Sequence, residues 1–173
     1  HVSGRLKVAP EHTSPRVLSH MRKAPLDLFK KLKKRFDNIK TKHELRYEII
    51  PYFISSHPGC TDTDMAELAA EVKSLGIKPE QVQDFTPTPI TDATCMYHTG
   101  IDPTNMKPIY VPKTARERRW HRALCQFSDA KNWYDVREAL FAAGRQDLIG
   151  NHAAALIGPR PGPAVQKSWT TSR

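Results

Sequence analysis

Along the chain the spacing of apolar positions changes several times, and each change marks an element. Residues 5–8 (RLKV) alternate polar and apolar side chains, the two-residue period of a strand. Residues 9–14 (APEHTS) break that period and predict a loop. The following PRVLSHM predicts a short helix with Ser14 as N-cap and Pro15 at the first helical position. Leu28, Phe29, Leu32, Phe36 and Ile39 then recur at helical spacing. Lys30, Lys31, Lys33, Lys34 and Arg35 fill the other face, which reads first as a solvated face and second as an anion patch. Residues 47–54 (YEIIPYFI) are nearly continuous in apolar and aromatic side chains, as in a parallel strand covered on both faces. Pro51 predicts an irregularity there, because proline cannot donate to the ladder.

From Thr61 the helical period returns. Thr61 and Asp64 have capping-box spacing, Met65, Leu68, Ala69, Val72 and Leu75 form one stripe, and Gly76 with Pro79 ends the helix. QVQDF predicts a third strand and TPTPITDAT a loop. Strands alternating with helices imply an α/β fold with parallel pairing through right-handed crossovers. After Gly100 the character changes: residues 101–113 form a proline-punctuated connector. A helix over residues 114–127 carries Trp120, Ala123, Leu124 and Phe127 on one face and Arg116, Arg118, Arg119 and Arg122 around the rest. A last helix is capped by Asp129, turns Trp133, Val136 and Leu140 inward and stops at Gly144. Residues 158–173 hold too little apolar content to fold and predict a disordered tail. The organisation is therefore 1–100, 101–157 and 158–173.

Composition adds limits. With 173 residues and 39% hydrophobic side chains, the chain has enough material for one real core. No stretch is long and apolar enough for a membrane span and none reads as a secretory signal, so a cytoplasmic protein with no membrane partner is expected. The balance of 27 Lys and Arg against 18 Asp and Glu, net +9, favours anionic partners; good solubility is the plainer reading. Cys60, Cys95 and Cys125 lie too far apart for a CxxC or CxxxCxxC metal spacing, so no metal site is expected and the thiols read as small packed residues.

Three parallel strands cannot close a barrel and leave unpaired edges. The sequence also begins at His1, almost on top of the first strand, and this suggests a C-terminal piece of a larger α/β protein. The rival reading, a small sheet whose edges are covered by the C-terminal helices, stays open.

In parallel α/β folds the loops at the carboxyl ends of strands build the site. That rule selects Glu11 and His12 after the first strand, Ser55, Ser56 and His57 after the second, and Thr86 and Thr88 after the third. Glu11 and Ser56 offer acceptors for sugar hydroxyls, His57 offers an imidazole, and the helix opened by Thr61 turns free N–H groups toward the rim, which suits an anion. Taken singly, each has an ordinary explanation: Glu11 and His12 as a loop-stabilising pair, His57 as a turn hydrogen bond, Asp62 and Asp64 as helix-start carboxylates. Together they fit a ligand containing a nucleoside. No P-loop, dinucleotide fingerprint or nucleophile elbow is present, and His20, His43, His98, His121 and His152 have no metal-like spacing.

LKVAPEHTSPRVLSHMRK, IPYFISSHPGCTDTDMAELA, QVQDFTPTPITDATCMYHTGIDP and VPKTARERRWHRAL, in that order, resemble the C-terminal half of the YgiQ-type radical S-adenosylmethionine proteins. The resemblance runs from about Arg5 to about Ile157, with NWYDVREAL and DLIG continuing it into a helical extension. It implies a partial parallel (β/α) barrel whose last strands lie in residues 1–100, followed by a basic helical extension over 101–157. It also implies two cofactors, S-adenosylmethionine and a [4Fe–4S] cluster held by a CxxxCxxC loop, and a cluster that cleaves S-adenosylmethionine reductively. By the same resemblance Glu11 would reach the ribose hydroxyls, the backbone from Ile54 to Gly59 would flank the adenine, and Thr86 and Pro87 would close over the nucleoside. His12, Ser55, Ser56 and His57 complete that candidate set. The CxxxCxxC loop is absent from these residues. The chain alone is therefore expected to supply the adenosine-side wall without the cluster, to bind no cofactor tightly and to be inactive. The missing N-terminal half of the barrel and a substrate of unknown class are the partners expected.

Two other readings stay open. Arg116, Arg118, Arg119 and Arg122, interleaved with Trp120 and His121, suit a module that docks on RNA or another anionic partner. Trp120, however, shares its stripe with Leu124 and Phe127, which favours a core role. The blandest reading is a truncated reading frame with no independent role.

Overall fold

The computed structural model describes residues 4–162. Three parallel strands, β1 (Arg5–Glu11), β2 (Glu48–Ser55) and β3 (Gln81–Asp84), lie side by side in the order β1-β2-β3. Helices α1 (Pro15–His20) and α2 (Leu26–Lys42) connect the first two, and α3 (Asp62–Ser74) connects the second and third. Next come α4 (Asp92–Thr99), a two-residue antiparallel ladder of β4 (Ile101–Asp102) and β5 (Lys107–Pro108), then α5 (Ala115–Cys125) and α6 (Trp133–Ala142). The sheet is open: no closed barrel forms among the described residues. No helix among them is long and apolar enough to cross a membrane.

The predicted elements recur, with four differences. β1 continues through Ala9, Pro10 and Glu11, which the sequence reading gave to a loop, because the chain stays paired to β2 past an irregularity. Val8 pairs with Pro51 and the next pair is Glu11 with Phe53, so three steps of β1 match two of β2. The irregularity expected at Pro51 thus appears as an extra residue on the opposite strand, where Pro10 also lacks an N–H. The second difference is α4, which the sequence reading left inside a loop and connector. Thr91 caps it through Thr94 N–H, and Gly100 at φ 70° closes it in the left-handed conformation.

The third difference concerns α2. Leu26 and Phe29 are buried, whereas Leu28 (56% exposed), Leu32 and Ile39 of the expected inward stripe face outward. With Arg35 they follow a 4-3-4 spacing along one ridge, beside a groove of about 230 Å³ walled by Val8, Pro10, Pro25 and Phe29. The fourth lies at the C-terminal end. Trp133 Nε1–H donates to the Gly158 carbonyl at 3.1 Å, and Ile149 bridges Ile157, so the packed chain extends to 158. Of the tail expected over 158–173, residues 163–173 lie outside the described residues.

The main core joins both parts of the chain. Phe53 of β2 and Met65, Leu68, Ala69 and Val72 of α3 pack in one cluster with Leu124 of α5 and Val136 and Leu140 of α6. Each of the Phe, Met, Leu and Val side chains taken from water contributes roughly 1.5–3 kcal/mol. α3 buries a wider face than its stripe predicts, Ala66 included, since it is covered by the sheet and by both C-terminal helices.

Candidate functional site

The carboxyl ends of β1, β2 and β3 open onto a cavity of about 270 Å³. Ile54, Met21, Phe85 and Ala93 give it an apolar wall, while Glu11, Lys23, His57, Asp84 and the Thr86, Thr88 and Thr91 hydroxyls supply polarity. Of the residues selected from sequence, the structure brings Glu11, His57 and Thr86 together here, with Thr88 beside them. His12, Ser55, Ser56, Gly59 and Pro87 are not among its lining residues.

Backbone conformation marks the same place. Glu11 at φ 65° and Ser56 at φ 61° end β1 and β2 in the left-handed region that non-glycine residues seldom adopt. The turn at Ser56 redirects the chain so that His57 faces the cavity's edge. Its Nδ1–H donates to the Pro58 carbonyl at 2.7 Å, and its ring meets Phe85 edge to face at 5.1 Å. Burial holds the imidazole pKa down at about 4, outweighing the Pro58 hydrogen bond, so His57 is neutral near pH 7. Glu11 is paired with Lys23 at 3.1 Å. Thr86 donates to the Asp84 carbonyl, Thr88 to that of Thr86 and Thr91 to that of Thr88, a ladder that fixes the loop.

Behind the cavity lies a sealed layer. His12 is fully buried: its Nδ1 accepts from Ser14 N–H at 3.0 Å, which leaves the proton on Nε2, 3.3 Å from Cys60 Sγ. Burial pushes His12 down to about 3 and the Cys60 thiol well up, so this pair is a neutral imidazole and a thiol. Cys60 in turn donates to the Thr61 carbonyl. Ser55 Oγ donates to Asp84 at 2.6 Å, tying β2 to β3. Gly59, at φ 87°, packs against the His20 ring and donates its N–H to the Tyr110 carbonyl at 2.7 Å. His12 and the two serines therefore support the rim from within, as does Gly59.

The N-terminus of α3, expected to turn N–H groups toward an anion, is answered by its own acids. Asp64 accepts from Thr61 N–H at 2.9 Å in a capping box, from Ser14 Oγ at 2.9 Å, and from Arg16. Burial alone would raise its pKa, yet the Thr61, Ser14 and Arg16 contacts hold the carboxylate below its usual value. Asp62 accepts from His121 Nε2 at 2.9 Å, and His121 Nδ1 stands 3.4 Å from Ser56 Oγ. His121, unassigned from sequence, thus latches α5 to the β2–α3 turn.

The α5 arginines are engaged within the fold. Arg122 pairs with Asp84 at 2.8 Å, Arg119 with Asp135 at 2.8 Å, Arg118 donates to the Phe85 carbonyl, and Arg116 stacks 5.1 Å from the Trp120 ring centroid. Two of them therefore brace the carboxyl end of β3. Trp120 is half-buried, with its Nε1–H on Glu138. Lys23, Phe85 and His121 were missed as site or support residues; Lys23 sits in a loop with no sequence pattern, and His121 is separated from Ser56 by 65 positions.

These features define an α/β protein with a cavity at the carboxyl ends of a parallel sheet, whose strand ends are braced by a basic helical extension. Residues 80–172 match the family described as a domain of unknown function (DUF3362), and the chain belongs to that family. Its homologues are UPF0313 proteins. That of Methanocella arvoryzae is 47% identical over 167 residues, which cover 96% of this chain and 28% of the relative. That of Porphyromonas gingivalis is 51% identical over 149 residues, 86% of this chain and 24% of the relative. One from Clostridium perfringens is 46% identical over 157 residues, 91% and 24%. The chain thus spans about a quarter of the length of the curated relatives it matches.

Proposed function

We propose that the rim cavity is the nucleoside side of an S-adenosylmethionine site of the radical S-adenosylmethionine type, and that this chain contributes that wall to a longer protein. One observation carries the reading: Glu11, His57 and Thr86, drawn from three separate strand ends, meet in one cavity with an apolar wall. About 270 Å³ lies near the lower end of ligand pockets, which run from ~300 to 1,000 Å³, and suits one nucleoside. Glu11 keeps one carboxylate oxygen beyond its Lys23 contact for ribose hydroxyls. Phe85, Ile54 and Met21 offer a surface for a planar base.

The residues present do not fit an iron–sulfur cluster. Cys60 and Cys125 are buried, with Cys125 pushed up to about 12 by desolvation, and Cys95 stands apart and exposed. No group of three His, Cys, Asp or Glu among the described residues is arranged to hold a metal. The reading therefore assigns cluster chemistry to other parts of the longer protein. The open edge of β1 and the outward ridge of Leu28, Leu32 and Ile39 are where a further strand and helix of that barrel would dock.

Titrating the ¹⁵N-labelled 173-residue chain with S-adenosylmethionine tests the reading. Weak binding is expected, with amide shifts at Glu11, His57, Phe85 and Thr86. Saturable shifts confined to other surfaces, or none at millimolar ligand, would overturn it.

A further inference from the structure

A second cleft lies at the opposite end of the sheet, where β2 begins and the chain enters β3. It holds about 230 Å³ between the second half of α2, the start of β2 and residues 76–80. Phe36, Ile49, Ile50 and Ile77 give it an apolar lining, with Tyr47 beside them. It shares no lining residue with the rim cavity, and the nucleoside reading makes no use of it.

The charges around this cleft differ in what they have left to offer. Asp37 is held by Lys33 at 2.6 Å, and Glu48 and Glu80 share Arg5, at 3.5 and 2.8 Å. All three lining carboxylates are therefore answered. Lys40 and Lys78, which also line the cleft, make no ion pair or side-chain hydrogen bond among the described residues. Nor does the carboxyl end of α2 claim Lys40. The Ile39, Lys40 and Thr41 carbonyls there accept from the N–H groups of His43, Leu45 and Glu44, at 2.9–3.3 Å. With Arg5, four cations meet three carboxylates at the cleft, and Lys42 and Arg46 against Glu44, at the turn into β2, widen the excess. A lysine ammonium is a compact charge on a flexible stem, so both can swing over an apolar floor to meet an anion.

We propose that this cleft binds a small organic oxyanion, a carboxylate or phosphate carried on an apolar body. The body lies on Phe36, Ile49 and Ile77, and the Lys40 and Lys78 ammonium groups close on the anion. About 230 Å³ is below the ~300–1,000 Å³ of ligand pockets, which limits the body to about one ring. The apolar floor displaces water on one side of the charges and strengthens their attraction. Lysine meets an anion as a point charge and not as a planar fork, so carboxylate and phosphate are both accepted.

The test titrates benzoate and phenyl phosphate into the ¹⁵N-labelled 173-residue chain at low salt. Benzamide serves as a neutral counterpart of benzoate, and inorganic phosphate as an anion without a body. Saturable amide shifts are expected at Lys40, Ile49, Gly76, Ile77 and Lys78, and the tighter of the two aromatic anions names the preferred oxyanion. Benzamide and inorganic phosphate should each bind at least about fivefold more weakly. Lys40→Gln and Lys78→Gln should each weaken the aromatic anions about 1.5- to 5-fold, the share of one exposed ion pair, and leave benzamide unchanged. Lys31→Gln, exposed elsewhere on α2, should change neither. Benzamide binding as tightly as benzoate would overturn the role of the lysines. Inorganic phosphate binding as tightly as phenyl phosphate would overturn the apolar seat and leave only a diffuse positive surface. Shifts confined to other residues, or none at tens of millimolar ligand, would overturn the site, and each of these results leaves the nucleoside reading of the rim cavity standing.

Discussion

At Gly59 the rim meets His20 of α1 and the segment after β5, through Ile109 and Tyr110, and replacing it by alanine measures how tightly they are held. At φ 87° a side chain is strained whatever the space around it, a cost of roughly 1–2 kcal/mol. An added Cβ would also stand 2.6 Å from Cδ2 of His20 and 3.1 Å from Cδ1 of Ile109. His20 is not free to retreat, since its Nδ1 lies 3.5 Å from the buried Asp102. Overpacking of this kind adds ~1–3 kcal/mol, so Gly59→Ala should destabilise by about 2–5 kcal/mol in all. Gly76 supplies the control, because it sits at φ 66° with nothing within 4 Å of an added Cβ. Gly76→Ala should cost only the backbone share, about 1–2 kcal/mol. Urea unfolding of the 173-residue chain, followed by circular dichroism, gives both numbers. Combining Gly59→Ala with His20→Ala should recover part of the clash and none of the backbone cost. If Gly59→Ala and Gly76→Ala lose the same stability, the close approach of His20 is not a packing constraint and the reasoning fails.

Other expectations follow from single contacts. Thr61→Ala removes the capping-box hydroxyl and should cost ~0.5–2 kcal/mol in the same assay; an unchanged midpoint would show that the backbone N–H of residue 61, Ser14 and Arg16 hold Asp64 without the hydroxyl. Leu140→Ala should cost ~2–5 kcal/mol and lower the amide-exchange protection of β2 as well as α6, because both feed one core; loss limited to α6 would separate the two parts. His57 has a folded pKa near 4, below its unfolded value, so its contribution is complete above about pH 6.5 and is lost as pH falls toward 4. Relative to His57→Phe, the wild type should therefore lose up to ~1.4 kcal/mol per pH unit in that window, and parallel pH profiles would refute the shift. Ile90, fully exposed at φ 64°, should be replaced by asparagine with a gain of ~0.5–1 kcal/mol; a loss would mean that its side chain is held by something.

The helices and strands were legible wherever period and caps agreed. Thr61 with Asp64 and Ser14 with Pro15 each announced an end that the structure repeats, whereas Asp129, read as the cap of the last helix, caps a single 3-10 turn (Ala130–Asn132) ahead of α6. α4 was hidden because its eight residues hold only Met96 as a buried side chain, too few for a stripe, although Thr91 and Gly100 bracket it. The outward ridge of α2 was misread since period alone cannot tell which apolar residues a partner covers, and Leu28 and Leu32 find no cover among the described residues. In the candidate site, the strand-end rule found Glu11, His57 and Thr86. It could not separate them from His12 and Ser56, which differ only in depth: one residue beyond Glu11, the chain has turned inward and His12 is sealed against Cys60. Support from α5 was out of reach for the same kind of reason, as Arg118, His121 and Arg122 act across long sequence separations.

The central claim is that the carboxyl-end cavity takes a nucleoside, and contacts between ligand and protein protons test it most directly. With S-adenosylhomocysteine bound to the ¹³C-labelled chain, the adenine H2 and H8 protons should give intermolecular Overhauser effects to the methyl groups of Ile54, Met21 and Thr86. Effects to Val8, Leu28 and Leu32 instead would put the ligand in the groove beside α2 and contradict the account.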